Sequence, residues 1–335
     1  GRLSVTGPKS LTWLDGLLTR RVSELAVGQV RYTLVTSDEG PTGLTILDDA
    51  LVARDADAPD GTPRLSLVVN ASNRKGVVAW LTGRLPGEGV VLSDQTRKTA
   101  MIAVQGPLAV AVVTGLCPAD EAGEISALKN YRARSARVAG RPAEVSRTGY
   151  TGEDGLELVV AAADALAVWE AILAAGQSQG LRPCGLGSRD TLRLEAGMPL
   201  YGHELLADSD PFALGLGFAV NLTHSDGSPR SFPGAEPLRQ LQAKPAGTVR
   251  VGLVLMGKRA ARAGAVVTHP GEPGSVVGEV TSGSYCPTLD AAAAMAIIHH
   301  DLATEGTVLD VLIREDACPA RVAPLPLYRR PALRT

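Results

Sequence analysis

Apolar and polar positions along this 335-residue chain fall into two regimes. Up to about residue 240, strand-like runs interleave with helical stretches. Residues 29–36, 45–54 and 65–69 alternate as strands, and the last leads into a helix predicted over 72–81, with Val77, Val78 and Leu81 along its apolar side. Residues 163–175 carry helical spacing, with Leu166, Trp169, Ile172 and Leu173 expected on one buried face. A polar loop over 223–235 and a short helical run over 236–241 follow. From residue 248 the pattern changes to short β-like runs at 248–255, 265–268, 275–280, 293–298, 307–314 and 320–322, separated by Gly, Pro or charged turns. Such spacing without a long helix predicts a small antiparallel barrel. The boundary between the regimes is placed near 230–247.

A faint repeat runs at an offset of 99 residues. Leu3-Ser-Val-Thr-Gly7-Pro8 and Ile102-Ala-Val-Gln-Gly106-Pro107 each enter an apolar helical run that ends in Gly16-Leu17 or Gly115-Leu116. Each reads as strand, Gly turn and a helix with Pro at its first position. Two such units predict a pseudo-symmetric α+β core.

Composition narrows the function. A net charge of −2 leaves no electrostatic footprint for nucleic acid or an anionic membrane surface. Charged residues at 20% and apolar ones at 45% match an ordinary globular chain, and no apolar run approaches a membrane span. Cys117, Cys184, Cys286 and Cys318 are too dispersed for metal-ligand spacing and read as free thiols. The five His show no i, i+4 partner, and no Gly-x-Gly-x-x-Gly is present, so neither a metal nor a dinucleotide is expected.

Candidate chemistry concentrates elsewhere. Glu157 sits in Leu156-Glu157-Leu158-Val159-Val160, where alternation puts it on the face opposite Leu156 and Leu158. Arg189 opens a short helix. The two could bridge each other or hold a flat polar ligand. Asp48-Asp49 lies within an apolar strand, so alternation sends one carboxylate to the core or a pocket and the other to water, without saying which. Thr148-Gly-Tyr-Thr-Gly-Glu-Asp-Gly155 lacks the Gly-Lys-Ser/Thr ending of a phosphate loop and reads as a tight connection that aims Glu157. Tyr32, Tyr150 and Tyr201 either face a ligand or pack. Asn70 either caps the following helix or touches ligand.

Residues 145–157 and 185–204, together with Leu47-Asp48-Asp49, Met101–Pro107 and Glu279–Leu289, resemble the T-protein family of the glycine cleavage system, tetrahydrofolate-dependent aminomethyltransferases. The match runs from about residue 3 to 325. It implies an α+β fold, with a folate-binding core of antiparallel sheets and helices over 1–235, in two interleaved subdomains, and a C-terminal β-barrel over 246–328. It implies transfer of a one-carbon unit from an aminomethyl-lipoyl H-protein to tetrahydrofolate with release of ammonia. By the same resemblance the catalytic group is Asp48, and the folate contacts are Glu157, Arg189, Tyr32, Asn70, Tyr150 and Tyr201. No metal is expected. The location implied is cytoplasmic in a bacterium, or the mitochondrial matrix in a eukaryote.

Two departures stand out. Family members carry a further segment ahead of the position matching Leu3, and the expectation is a shortened homologue or a chain that extends further. Ala235, in Phe232-Pro-Gly-Ala-Glu236, stands where the family carries a basic residue. The fold also serves folate-dependent demethylases and non-transferase folate-binding proteins. The latter carry a Lys-Gly-Cys-Tyr-x-Gly-Gln-Glu signature, and Gly197-Met-Pro-Leu-Tyr-Gly-His-Glu204 lacks its Cys.

Overall fold

A computed structural model describes residues 1–331. The chain forms two compact units, and neither is continuous in sequence. The first comprises Gly1–Gly149, Glu153–Pro183 and Phe218–Arg239; the second comprises Tyr150–Gly152, Cys184–Gly217 and Gln240 onward.

The first unit holds two antiparallel sheets. One is built from β1 (Arg2–Thr6), β2 (Val30–Ser37), β3 (Thr45–Arg54), β4 (Arg64–Val69) and β5 (Val91–Asp94), in the order β2-β3-β4-β1-β5. The other contains β6 (Thr99–Gln105), β7 (Ala133–Val138), β8 (Arg141–Ser146) and β9 (Gly155–Ala161), in the order β6-β9-β8-β7. The two sheets are bridged just ahead of the edge strands β2 and β7, through main-chain bonds from Val30 N to Tyr131 O and from Ala133 N to Gly28 O.

Each sheet packs one face on helices. Leu3, Val5, Val35, Ala50, Val52, Leu65 and Leu67 point to a core shared with α1 (Ser10–Asp15) and α2 (Arg74–Thr82). Ile102, Val104, Val145, Leu156, Leu158 and Val160 point to a second core under α3 (Ala109–Thr114), α4 (Ala119–Ser126) and α5 (Ala165–Gly176). Strand alternation leaves the opposite face of each sheet without helices of its own.

The repeat is visible in the backbone. β1 and β6 end in Gly7 and Gly106, at φ 125° and 127°, a conformation that strongly favours glycine. Each then enters a six-residue helix capped by Gly16 or Gly115. Pro8 and Pro107 precede the N-cap residues Lys9 and Leu108 rather than opening the helices, because Ser10 and Ala109 are the first helical residues. α2 likewise starts at Arg74, two residues later than its pattern predicts. The face assigned to α5 needs correction: Leu166 is 66% exposed and Trp169 39%, while Val168 and Ile172 are buried. Their i, i+4 spacing makes the seam against the second core.

In the second unit, β10 (Thr248–Leu255), β11 (Val266–His269), β12 (Glu272–Cys286), β13 (Ala291–His299), β14 (Val308–Ile313) and β15 (Asp316–Ala323) close a barrel in the order β10-β13-β12-β11-β14-β15. Five of the nine residues of β13 are alanine, and the strand is covered on both faces. Ala292, Ala294, Ala296 and Ile298 fill the barrel, while Ala293 and Met295 pack with Cys286 under Leu194 of α6 (Leu186–Glu195). The helical run after the 223–235 loop is α7 (Ala235–Gln242), in the first unit up to Arg239.

Candidate functional site

The aspartate pair lies where the β2–β3 ladder changes register. Thr36 faces Ile46 but Val35 faces Asp48, so Leu47 is an extra residue in β3. Below this bulge the parity is fixed: Asp48 shares a face with Ala50 and Val52, toward the helices, and Asp49 shares a face with Leu51 and their partners Leu34 and Tyr32. Asp48 is fully buried, whereas Asp49 and Tyr32 are half-buried on the face turned away from the helices.

β4 pairs with β3 only as far as Val69↔Ala50, and the next residue, Asn70, ties the two carboxylates together. Its amide Nδ2 donates to Asp48 Oδ1 at 2.8 Å and to Asp49 Oδ1 at 2.7 Å, and its backbone N–H donates to Asp48 Oδ2 at 2.9 Å. Asn73 Nδ2 adds a bond to Asp48 Oδ1 at 2.7 Å. Asn70 does not cap α2 with its side chain; only its carbonyl takes the N–H groups of Asn73 and Arg74. The two aspartates do take opposite faces, as alternation predicts, with Asp48 in the core and Asp49 half-buried rather than free in water. Asp49 is held by the Asn70 amide. The Tyr32 ring also lies 5.7 Å from that of Phe218, which is 61% exposed.

Burial pushes the Asp48 carboxyl up to about 6, against the pull of the Asn70 and Asn73 hydrogen bonds. Burial raises Asp49 as well, opposed by Tyr32 and Asn70.

Glu157 stands on the helix-free face of the other sheet, opposite Ala103 and Ser146 in register. It is 7% exposed, and the Thr148 hydroxyl donates to its Oε2 at 2.5 Å. The glycine-rich connection around it is wrapped on Gln105. The Gln105 amide donates to the carbonyls of Thr148 and Leu156, both at 3.2 Å. A Cβ at Gly155 would lie 2.6 Å from the Val104 carbonyl oxygen, which the backbone cannot yield, and one at Gly149 would lie 2.0 Å from Gln105 Oε1 and displace that side chain. A two-pronged Arg147–Asp154 ion pair, at 2.9 and 2.5 Å, fixes the strand entry. Tyr131, which the sequence pattern does not single out, is a neighbour of Glu157. Its hydroxyl is pushed up by burial and further by the Glu157 charge, and its backbone sits at φ 58°. A non-glycine residue held in the left-handed region is the one local signal that marks it.

In the second unit, Arg189 is exposed in the first turn of α6, with its guanidinium 4.9 Å from the centre of the Tyr150 ring. The Tyr150 hydroxyl donates to Pro199 O at 2.5 Å. Tyr201 is half-buried in a bridge with Leu205. The charge in this stretch includes a buried ion pair that sequence reading missed. Arg193 Nη1 meets Glu204 Oε2 at 2.9 Å, and Glu204 also accepts from Leu200 N–H and from the Thr281 hydroxyl. Among the described residues, no group of three or more His, Cys, Asp or Glu could hold a metal ion, and no helix is long and apolar enough to cross a membrane.

Comparisons with known proteins fit this architecture. Residues 1–224 match the GCVT N-terminal domain, and 249–329 match the glycine cleavage T-protein C-terminal barrel domain. The chain is 42% identical over 332 residues to an aminomethyltransferase of Saccharopolyspora erythraea, covering 99% of this chain and 85% of that one. It is 40% identical to the Bacillus subtilis aminomethyltransferase, covering 98% and 86%. The crystal structure of glycine cleavage system aminomethyltransferase T from Bartonella henselae superposes with a TM-score of 0.83 at 31% identity, covering 98% of this chain and 83% of that one.

A carboxyl raised in the folded state stabilises most below its unfolded value and loses that contribution as pH climbs through its folded value. For Asp48 the window is therefore about 4 to 6. The stability of Asp48→Asn relative to wild type should rise across this window, by on the order of 2–3 kcal/mol. Urea unfolding of both proteins at pH 4 and pH 7.5 measures it; a pH-independent difference would show that Asp48 titrates normally.

Proposed function

This chain belongs to the glycine cleavage T-protein family, and we propose that it moves a one-carbon unit from the aminomethyl-lipoyl arm of an H-protein to tetrahydrofolate, releasing ammonia. The observation that carries the reading within the molecule is the placement of two acidic groups. Asp49 and Glu157 stand on the helix-free faces of two sheets that are bridged edge to edge.

Glu157 suits the pterin end of the folate. A carboxylate accepts two parallel hydrogen bonds from an aminopyrimidine edge, and the Thr148 hydroxyl and the Gln105-wrapped glycines hold it in one orientation. In the second unit, Arg189, beside the Tyr150 ring, offers a fork of donors suited to carboxylate or carbonyl oxygens.

The resemblance assigns catalysis to Asp48, but its burial and the three hydrogen bonds it accepts favour a supporting role. We give the ligand-facing role to Asp49, beside Tyr32. A carboxylate there stabilises positive charge on the one-carbon centre as ammonia leaves and takes part in proton movement. Because burial raises both acids, neither carboxyl gives up its proton as readily as a solvated one. Holding donor arm and folate together supplies much of the remaining acceleration. The partner is the lipoylated H-protein, and the setting is bacterial cytoplasm, by analogy with the bacterial relatives.

The defining experiment measures ammonia release from aminomethyl-lipoyl carrier with and without tetrahydrofolate. Folate-dependent release is expected. No release from the carrier, with turnover of a methylated amine instead, would replace the reading by a demethylase.

Asp49→Asn should lower kcat by about 10²–10³, the scale of losing one electrostatic contact in a transition state. Asp48→Asn should cost less, because it acts at one remove. Steady-state kinetics on both proteins decides, and a larger loss at Asp48 would return the catalytic role to it.

Glu157→Gln should weaken tetrahydrofolate binding by ~1.5–3 kcal/mol, the size of a hydrogen bond to a charged group. Calorimetric titration reads this directly, and wild-type affinity would make the carboxylate structural.

A further inference from the structure

We propose that Asn73, acting through Asp48 and Asn70, is a positioning residue for the Asp49 carboxylate. The inference rests on the reading above, in which Asp49 is the acid that meets substrate.

The chain of contacts is continuous. Asn73 Nδ2 donates to Asp48 Oδ1 at 2.7 Å; that same oxygen accepts from Asn70 Nδ2 at 2.8 Å; and Asn70 Nδ2 also donates to Asp49 Oδ1 at 2.7 Å. The Asn70 amide has two N–H groups, which the two carboxylates take at 2.8 and 2.7 Å, with the Asp49 carbonyl a longer third acceptor at 3.3 Å. Which way it points therefore depends in part on where Asp48 sits. Asp48 is fully buried, so no solvent replaces a lost donor, and the Asn73 bond is one of three that hold it.

The placement of Asn73 argues that this bond is its purpose. It occupies the N-cap of α2, where an Asn ordinarily turns its side-chain oxygen to the free N–H groups of the first turn. Here the side chain makes no capping bond. Its Oδ1 instead accepts from the Ser72 hydroxyl at 3.2 Å, which leaves Nδ2 directed at Asp48. Capping is forgone so that a donor reaches the buried carboxylate.

Two substitutions separate positioning from packing. Asn73→Ala removes the donor. Asn73→Asp keeps the size, replaces the donor with a second negative group beside Asp48, and supplies a favoured N-cap for α2. The expected result is a kcat loss of about tenfold for Asn73→Ala and about 10²-fold for Asn73→Asp, the scale of a small misplacement of a reacting group. KM for tetrahydrofolate should stay within about twofold in both. Thermal melts should show both variants folded at the assay temperature, so that the kcat losses are read on folded protein. Asn73→Ser, which retains a donor, should recover part of the loss.

If Asn73→Asp is as active as Asn73→Ala or more so, or if both keep wild-type kcat, the inference is overturned. Asp49→Asn in the same assay tells the two failures apart. Wild-type turnover in Asp49→Asn would sink the underlying reading, whereas a large loss there with silent Asn73 variants would sink only the positioning role.

Discussion

A buried carboxylate that must be given hydrogen bonds organises the first unit. Asp48 is sealed within β3 beside its bulge, and three donors from the segment between β4 and α2 converge on it. An unpaired charge there would cost several kcal/mol, so the turn after β4 is obliged to present Asn70 and Asn73 inward. That obligation stops β4 short, starts α2 late, and leaves the Asn70 amide in contact with Asp49. The acid proposed to meet substrate is thus held by the solution to a burial problem one residue away.

The same economy recurs around Glu157. The connection from β8 to β9 is wrapped on the Gln105 amide and pinned by the Arg147–Asp154 pair, so the strand that carries Glu157 enters the sheet in one register. In the second unit, the Arg193–Glu204 pair does comparable work between α6 and the loop that follows it, with Thr281 and Ser282 of β12 completing its hydrogen bonds. Buried charge of this kind is weak evidence for stability, because its desolvation offsets most of its attraction. It is stronger evidence of fixed geometry, since breaking any one member leaves a charge without a partner.

Much of the architecture was legible in the sequence because it follows from short-range rules. The six barrel strands, the two strand–Gly–helix repeats and the α+β core all arise from alternation, turn glycines and helical spacing, which act within ten or so residues. The face of Glu157 was legible too, since a regular strand alternates strictly. The reading of α5 failed because Leu166 and Trp169 satisfy a helical period equally well, and only packing on the second core selects Val168 and Ile172.

By itself the sequence determined which segments become strands and helices, that the chain changes character after residue 240, and that carboxylates at 48, 49 and 157 interrupt apolar strands. It could not assign Asp48 and Asp49 to faces. Alternation is symmetric between them until a reference residue is fixed, and that reference is the bulge at Leu47, created by pairing with β2. It could not give Asn70 and Asn73 their roles either, because local chemistry makes both natural helix caps. Only the tertiary structure diverts them, since a buried charge twenty-two or twenty-five residues away outbids exposed helix N–H groups that water already satisfies.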